Sequence, residues 1–364
     1  MKKIFTLFSL LLALTSFSQS AQFFYGATGK DLIEQVVPAP DGNYFLLGSK
    51  AGTVNQVWLL KINPDAGIIW EKTYASSSAG VDEFGHRLTI LADGSLLIAG
   101  QQYYGDGFDS GIAMAIKTDA QGNQIWKRTY TNTTALFDAV PSGNNFLLVG
   151  WSDNTGSSNS GLLMLVNGNG ILQWKLNVDV TSQTYIKRIF PTSDGNFLLL
   201  GRSNVIGAGY EGVFLRKIEP DGDQLWQVIH DTGYREGDSF GQTDDFYAES
   251  LGAVQAPDGS IWITNPSEYN PDIALLHFSP QGTLLEEKIY GNDTWNEYPF
   301  SLTLLPDGGW LITGTAKKNT QPAEINGFAM RTNANGLEIW RKYYDLETAT
   351  ERLFSAAATP GEQV

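Results

Sequence analysis

The chain has 364 residues, no Cys, three His and a net charge of −15, with Gly at 39 positions and Trp at ten. The acidic balance argues against nucleic-acid or anionic-membrane partners, which need basic patches. The lack of Cys excludes disulfides, thiolate metal sites and cysteine nucleophiles. A composition 42% hydrophobic and 17% charged excludes a largely disordered chain.

In chain order, the first segment is MKKIFTLFSLLLALTSFSQSAQ. Lys2 and Lys3 precede an apolar run, Ile4 to Leu14, and then the small residues Ser16, Ser18, Ser20 and Ala21. This is the pattern of a secretory signal peptide over 1–20, too short for a membrane span. It predicts a secreted protein, extracellular or on the cell surface, with the periplasm as the alternative, and cleavage leaving a start within Gln19 to Gln22. No later run is long and apolar enough for a helical span, so no membrane insertion is expected.

From residue 22 to 364 one unit recurs at intervals of about 50 residues, over 30–80, 81–131, 132–181, 182–231, 246–291 and 296–345, with a partial copy at 351–364. Each unit has a turn at Asp41-Gly42, Asp93-Gly94, Ser142-Gly143, Asp194-Gly195, Asp258-Gly259 or Asp307-Gly308. A short apolar run follows each turn, such as YFLLG, LLIAG or FLLLG. After a polar gap come a second run and a second turn ending in Gly67, Gly122, Gly170, Gly222, Gly282 or Gly336. The unit ends in a short strand carrying Trp70, Trp126, Trp174, Trp226, Glu286 or Trp340.

Runs this short, aromatic and branched, bounded by Gly turns, are strands. Asp-Gly between two such runs predicts type I′ hairpins. Four strands per unit, here a to d, make the unit a β-propeller blade, and the whole a single all-β domain. Strand b ends in Gly48, Gly100, Gly150, Gly201 and Gly314 but in Asn265 in the fifth unit, which suggests a positive φ at this place.

The segments DAQGNQIW and EPDGDQLW, with WEKTY at 70–74, WKRTY at 126–130 and EEKIYG at 286–291, carry a likeness to a known repeat. The chain resembles the secreted β-propeller repeat proteins associated with type IX secretion, with quinoprotein-like, tryptophan-docking repeats. The resemblance implies a propeller and covers about 30 to 364. Glu286 interrupts its Trp series. QFFYG at 22–26 reads as a lone strand d and ERLFSAAATPGEQV at 351–364 as a strand a. Together they predict a split or incomplete seventh blade, and a chain truncated relative to its natural product; a closed ring of six is the alternative.

Chemistry is sparse. His277 falls in the strand c slot of Lys117, Lys217 and Arg331; His86 aligns with Glu34 and Lys187 in strand a; His230 ends a strand d. None has metal-type spacing, and no hydrolase or phosphate-loop motif is present. The acidic stretch 230–250 contains Asp238, Asp244 and Asp245, hard oxygen ligands suited to calcium, but it lacks the EF-hand spacing and a solvated acidic loop is the simpler reading. No other cofactor is expected. The variable b–c and d–a loops gather Tyr103, Tyr104, Tyr210, Tyr247, Tyr269, Trp295 and Tyr298, rings suited to sugar faces or protein hot spots. The expectation is a monomeric, exported, non-enzymatic binding or scaffold module for a glycan or protein partner. The alternative is a propeller enzyme, either a glycan-active hydrolase or lyase or a quinone-dependent dehydrogenase-like protein.

Overall fold

The computed structural model describes residues 25–26, 31–104, 111–154, 158–178, 183–204, 211–231, 251–267, 272–291, 294–319, 324–345 and 353–357. They form six four-stranded antiparallel sheets, each built from four strands consecutive in the chain. The six units of the sequence are thus six blades, spanning Leu32–Tyr74, Val81–Tyr130, Ala135–Val178, Thr184–Asp231, Gly252–Tyr290 and Trp295–Tyr344. Among the described residues there is no helix, and so none long and apolar enough to cross a membrane.

First strands of successive blades lie against one another, as Leu32–Pro38 does against Val81–Ile90, and that against Ala135–Ser142. Fourth strands are half exposed, with Ile69, Ile125, Leu225 and Ile339 facing outward. Strand a is therefore the inner wall of the ring and strand d its rim. Strands b and c are buried on both faces, which explains why their sequences are continuous apolar runs rather than alternating ones. Their side chains form clusters shared between neighbours: blades 1 and 2 through Leu47, Leu59 and Ile98, blades 3 and 4 through Val149, Leu163 and Phe214.

The first turns differ from the expected type I′ form. In five blades the amide of the Gly donates to a carbonyl three residues earlier, as Gly94 N to Leu91 O at 2.9 Å, and only the Gly has positive φ. This is a type I turn followed by a left-handed Gly, the three-residue hairpin loop. The Asp supplies a further acceptor: Asp93 Oδ1 takes the Ser95 amide at 3.0 Å and Asp258 Oδ1 the Ser260 amide at 2.9 Å. Asp194 also pairs with Lys217 at 2.5 Å, and that bond above all holds its carboxyl well below the usual range. In blade 3 Ser142 pairs with Asn145 across a two-residue turn, with Gly143 at φ 60°.

The glycines ending strand b also differ from expectation: none of them has a positive φ. They are required by close approach. A Cβ on Gly48, Gly150 or Gly201 would lie 1.8–1.9 Å from the carbonyl oxygen of Leu32, Ala135 or Tyr185 in strand a. The cause is a β-bulge. Strand a carries one extra residue opposite this Gly in five blades, namely Glu34, His86, Phe137, Lys187 and Phe300. The described part of strand a in blade 5 pairs without a bulge, and Asn265 stands in the Gly place there.

The Trp of strand d docks on the next blade. A Cβ on Gly122, Gly170 or Gly282 would meet the ring of Trp70, Trp126 or Trp226 at 2.6–2.9 Å. Where Glu286 replaces Trp, Lys288 and Tyr290 cover Gly336 instead.

Candidate active site on the inner wall

The bulge that distorts strand a also sets its chemistry. Two consecutive residues of each inner strand, the bulged one and its successor, reach the neighbouring blade. The pairs are Glu34-Gln35, His86-Arg87, Phe137-Asp138 and Lys187-Arg188 in blades 1 to 4.

The bulged residues form a chain of contacts around the axis. Glu34 Oε2 lies 3.1 Å from His86 Nδ1. The His86 ring packs on Phe137 with centroids 5.3 Å apart, and Lys187 Nζ sits 3.5 Å over the Phe137 ring. Glu34 and His86 keep 17% and 19% of their side-chain surface exposed, although strand a is the innermost of the blade. They therefore border the axial space. In the neutral tautomer that carries its proton on Nδ1, the ring donates to the Glu34 carboxylate and Nε2 holds its lone pair. That Nε2 is buried and has no hydrogen-bond partner among the described residues.

The successor residues make the layer behind. Gln35 Oε1 accepts the Leu88 amide at 2.7 Å, and Asp138 Oδ2 accepts the Ile189 amide at 3.1 Å, so each satisfies a backbone donor of the following blade. Asp138 also accepts from Arg188 Nε at 3.1 Å and lies 4.0 Å from Arg87 Nε. Burial pulls the Arg87 guanidinium down to about 9 and Arg188 adds to the fall, while Asp138 and Glu34 oppose it. Arg87 remains a cation at neutral pH. An acid, a base oriented by it, and three cations thus share one arc of the wall.

The residues singled out in the loops are placed differently. Tyr103 is buried, edge-on to Phe84 at 5.4 Å, and Tyr298 is buried beside Phe300. Trp295 is stacked on Tyr343 at 4.6 Å, with Lys318 5.4 Å over its ring. Tyr104 is exposed. Tyr210, Tyr247 and Tyr269, and the acidic Asp238, Asp244 and Asp245, lie outside the described residues. Among the described residues the one acidic group close enough to share an ion is Glu219, Asp221 and Asp223, all exposed. Two surface clefts, of about 320 and 410 Å³, are lined by residues such as Gln102 and Lys127, and Pro191 and Phe197, and neither includes the inner-wall arc. His277 is stacked on Trp262 at 3.9 Å, and burial lowers its pKa.

The inner-wall arc is not evident in the sequence, where Glu34, His86 and Lys187 align in strand a with nothing local to show that neighbouring blades bring them together. The available signal was the paired break in alternation: LIEQVV, GHRLTI, LFDAVP and IKRIFP each place two residues where the strand period allows one.

No model of a known protein family matches the chain, and no curated protein does. Solved structures do. A protein of unknown function from Dyadobacter fermentans DSM 18053 superposes with TM-score 0.55 at 12% identity, over 83% of this chain and 94% of that one. The periplasmic gluconolactonase of Pseudomonas aeruginosa gives TM-score 0.54 at 16% identity, over 85% and 84%. An α-L-arabinanase of Penicillium chrysogenum complexed with arabinobiose gives 0.51 at 10%, over 84% and 94%. The chain spans about half, 46%, of a puromycin hydrolase it also resembles, at TM-score 0.52 and 13% identity. At these identities the likeness is one of fold. It nevertheless corrects the expectation of a non-enzymatic binding or scaffold module. The like propellers named for an activity are enzymes, and the enzyme alternative is the reading they favour.

Proposed function

We propose that the protein is a propeller hydrolase acting on a small sugar-derived ester, a lactone being the simplest case, with His86 as general base. The observation that carries this is the Glu34–His86 pair, with its unpartnered Nε2, set beside Arg87, Lys187 and Arg188. A bare imidazole lone pair oriented by a carboxylate is the arrangement that activates a hydroxyl or a water. The reading requires that substrate binding open the buried Nε2 to the axial space. Water then loses a proton to Nε2 as its oxygen bonds the ester carbonyl. The cationic side chains stabilise the resulting oxyanion, the ring C–O bond breaks, and His86 returns the proton to the leaving alkoxide. The gluconolactonase and arabinanase folds support a carbohydrate-type substrate.

The test is release of acid from glucono-δ-lactone, followed in a pH-stat beside a panel of aryl glycosides and a methyl ester. Turnover of the lactone that falls at least about 100-fold in Glu34→Gln supports the reading. Turnover of a glycoside alone, or no loss in Glu34→Gln, contradicts it.

We further propose that the protein acts outside the cytoplasm, as a secreted protein of the type IX-associated class with tryptophan-docking repeats. The 1–20 segment and the Trp70–Gly122 and Trp126–Gly170 contacts support this. Exported protein should begin within Gln19 to Gln22; an intact Met1 on it contradicts export by cleavage.

A further inference from the structure

Five apolar clusters each join two consecutive blades, from blades 1 and 2 through to blades 5 and 6. The remaining faces of blade 1 and blade 6 are packed in another way. On blade 1, Leu46, Trp58, Leu60 and Ile62 are covered by Tyr25. On blade 6, Leu305, Leu311 and Ala329 are covered by Leu353 and Ala356, and Phe300 is stacked on Phe354 at 5.1 Å.

These contacts repeat, bond for bond, those made between whole blades. Tyr74 and Tyr130, each closing a strand d, donate to the turn carbonyls of Gly122 and Gly170 in the following blade, at 2.7 and 3.1 Å. Tyr25 donates at 2.8 Å to Ala66, the left-handed residue (φ 61°) of the same turn in blade 1. At the other side, Thr89 Oγ1 in the strand a of blade 2 donates to Ala139 O in the strand a of blade 3 at 2.7 Å. Thr303 Oγ1 in the strand a of blade 6 donates to Ala356 O at 2.8 Å. A Cβ on Gly161 of blade 3 would meet Ile186 of the next inner strand at 3.0 Å, and one on Gly327 of blade 6 would meet Leu353 at 2.8 Å. Phe354 follows Phe300 around the axis as Phe137 follows His86.

We propose that the space between blades 6 and 1 is a seventh blade position that docks a β-hairpin of the chain's own b–c pattern. Residues 353–357 stand at the place of its inner strand, and Tyr25 at the place of the tyrosine that closes its rim. In each of the six blades two strands separate the first strand from the fourth, so two strands are wanting at this position. The occupant is set by its surroundings. Strands b and c are buried on both faces in all six blades, so the hairpin must be apolar on both faces. Its first strand needs Gly opposite Phe354, because that glycine faces a strand a carbonyl in five blades. Pairing to the backbone of 353–357 supplies main-chain hydrogen bonds of the β-augmentation kind. The argument does not depend on the enzyme reading.

Two measurements on the full chain test this. The protein has no Cys, so spin labels attach only to introduced ones. Pro40, Ala92, Ser193 and Pro306 are exposed at the first turns of blades 1, 2, 4 and 6. The label distance for Pro40→Cys with Pro306→Cys should match the pair Ser193→Cys with Pro306→Cys, which are next but one. A match to Pro40→Cys with Ala92→Cys, which are adjacent, overturns the seventh position. The second measurement uses the hairpin Asn43–Ile62 displayed on a soluble carrier. It should bind saturably, lose binding when it carries Gly48→Val, and bind at least tenfold more weakly to chains with Tyr25→Phe or Leu353→Asp. Absence of binding, or binding indifferent to all three changes, overturns the docking assignment.

Discussion

The inner wall has two arcs built on one backbone device. In blades 1 to 4 the bulged strand a presents Glu34, His86, Phe137 and Lys187, three of them ionisable, backed by Gln35, Arg87, Asp138 and Arg188. In blade 6 the bulged residue is Phe300, followed by Ser301, and its neighbour around the axis is Phe354, followed by Ser355. The bulge and the glycine facing it are kept in both arcs, because the close approach of strands a and b depends on backbone geometry alone. The side chains at the bulge are free to differ, since they line the inner wall and lie outside the five apolar clusters that join consecutive blades. The apolar arc has spent that freedom on packing, and the polar arc on an acid–base pair with adjacent cations. A propeller can therefore vary its chemistry without altering its blades.

The contrast can be broken in several ways. Phe300→Ala removes a buried ring from the apolar arc and should lower stability by about 3–5 kcal/mol while leaving turnover per folded molecule unchanged. Denaturant unfolding and a lactone assay at saturating substrate check both halves. A parallel loss of turnover would mean that the arcs do not act separately.

Gly201→Ala should cost about 3 kcal/mol, because the new Cβ would fall 1.8 Å from Tyr185 O and the bulge bearing Lys187 must shift. Gly195→Val, in open space at φ 82°, strains only its own backbone and should cost about 1–3 kcal/mol. The Ala change should also disturb the arc's activity, whereas the Val change should leave it alone. Equal effects of the two on turnover would show that the bulge does not position the polar arc.

Lys187→Gln takes a cation from the polar arc without touching the Glu34–His86 pair. It should raise KM or lower kcat about tenfold, the scale of one partly exposed charge. No kinetic effect would remove Lys187 from the site and leave Arg87 and Arg188 as its only cations.

The smallest expected effect lies outside both arcs. The turn carboxylates Asp41, Asp93, Asp194, Asp258 and Asp307 are all held below their ordinary range, by Lys61, Ser95, Lys217 and Ser260 for the first four and by the Gly309 amide for Asp307. A depressed folded-state pKa means that the unfolded chain takes up protons first as pH falls. The stabilisation is thus fully present above about pH 4 and is lost as pH falls further toward the folded-state values. Tm should be flat from pH 8 to 5 and fall below about 4, slightly less steeply in Asp194→Asn. A fall that begins near pH 6 would point to groups other than these.

How much of this was legible beforehand follows from what repeats. The six blades, the four strands each and the turns were readable because Asp-Gly and the Trp motif return at every unit. Turn type was misread because Asp-Gly fits both a two-residue and a three-residue hairpin, and only backbone angles separate them. The Gly of strand b was read as a conformational need when it is a steric one: the clash is with a carbonyl in another strand, invisible in a local window. The site was overlooked for the same reason. Glu34 and His86 are 52 residues apart, and their meeting depends on blades closing round an axis. The loop aromatics are the more visible signal in the sequence, yet Tyr103 and Tyr298 are consumed by packing.

The most direct test of the polar arc as a catalytic site is kcat/KM for glucono-δ-lactone in His86→Gln, with unfolding measured on the same preparation. The account predicts a fall of at least about 100-fold with stability within about 1 kcal/mol of the unaltered protein. A variant that folds equally well and turns over the lactone at the original rate would contradict it.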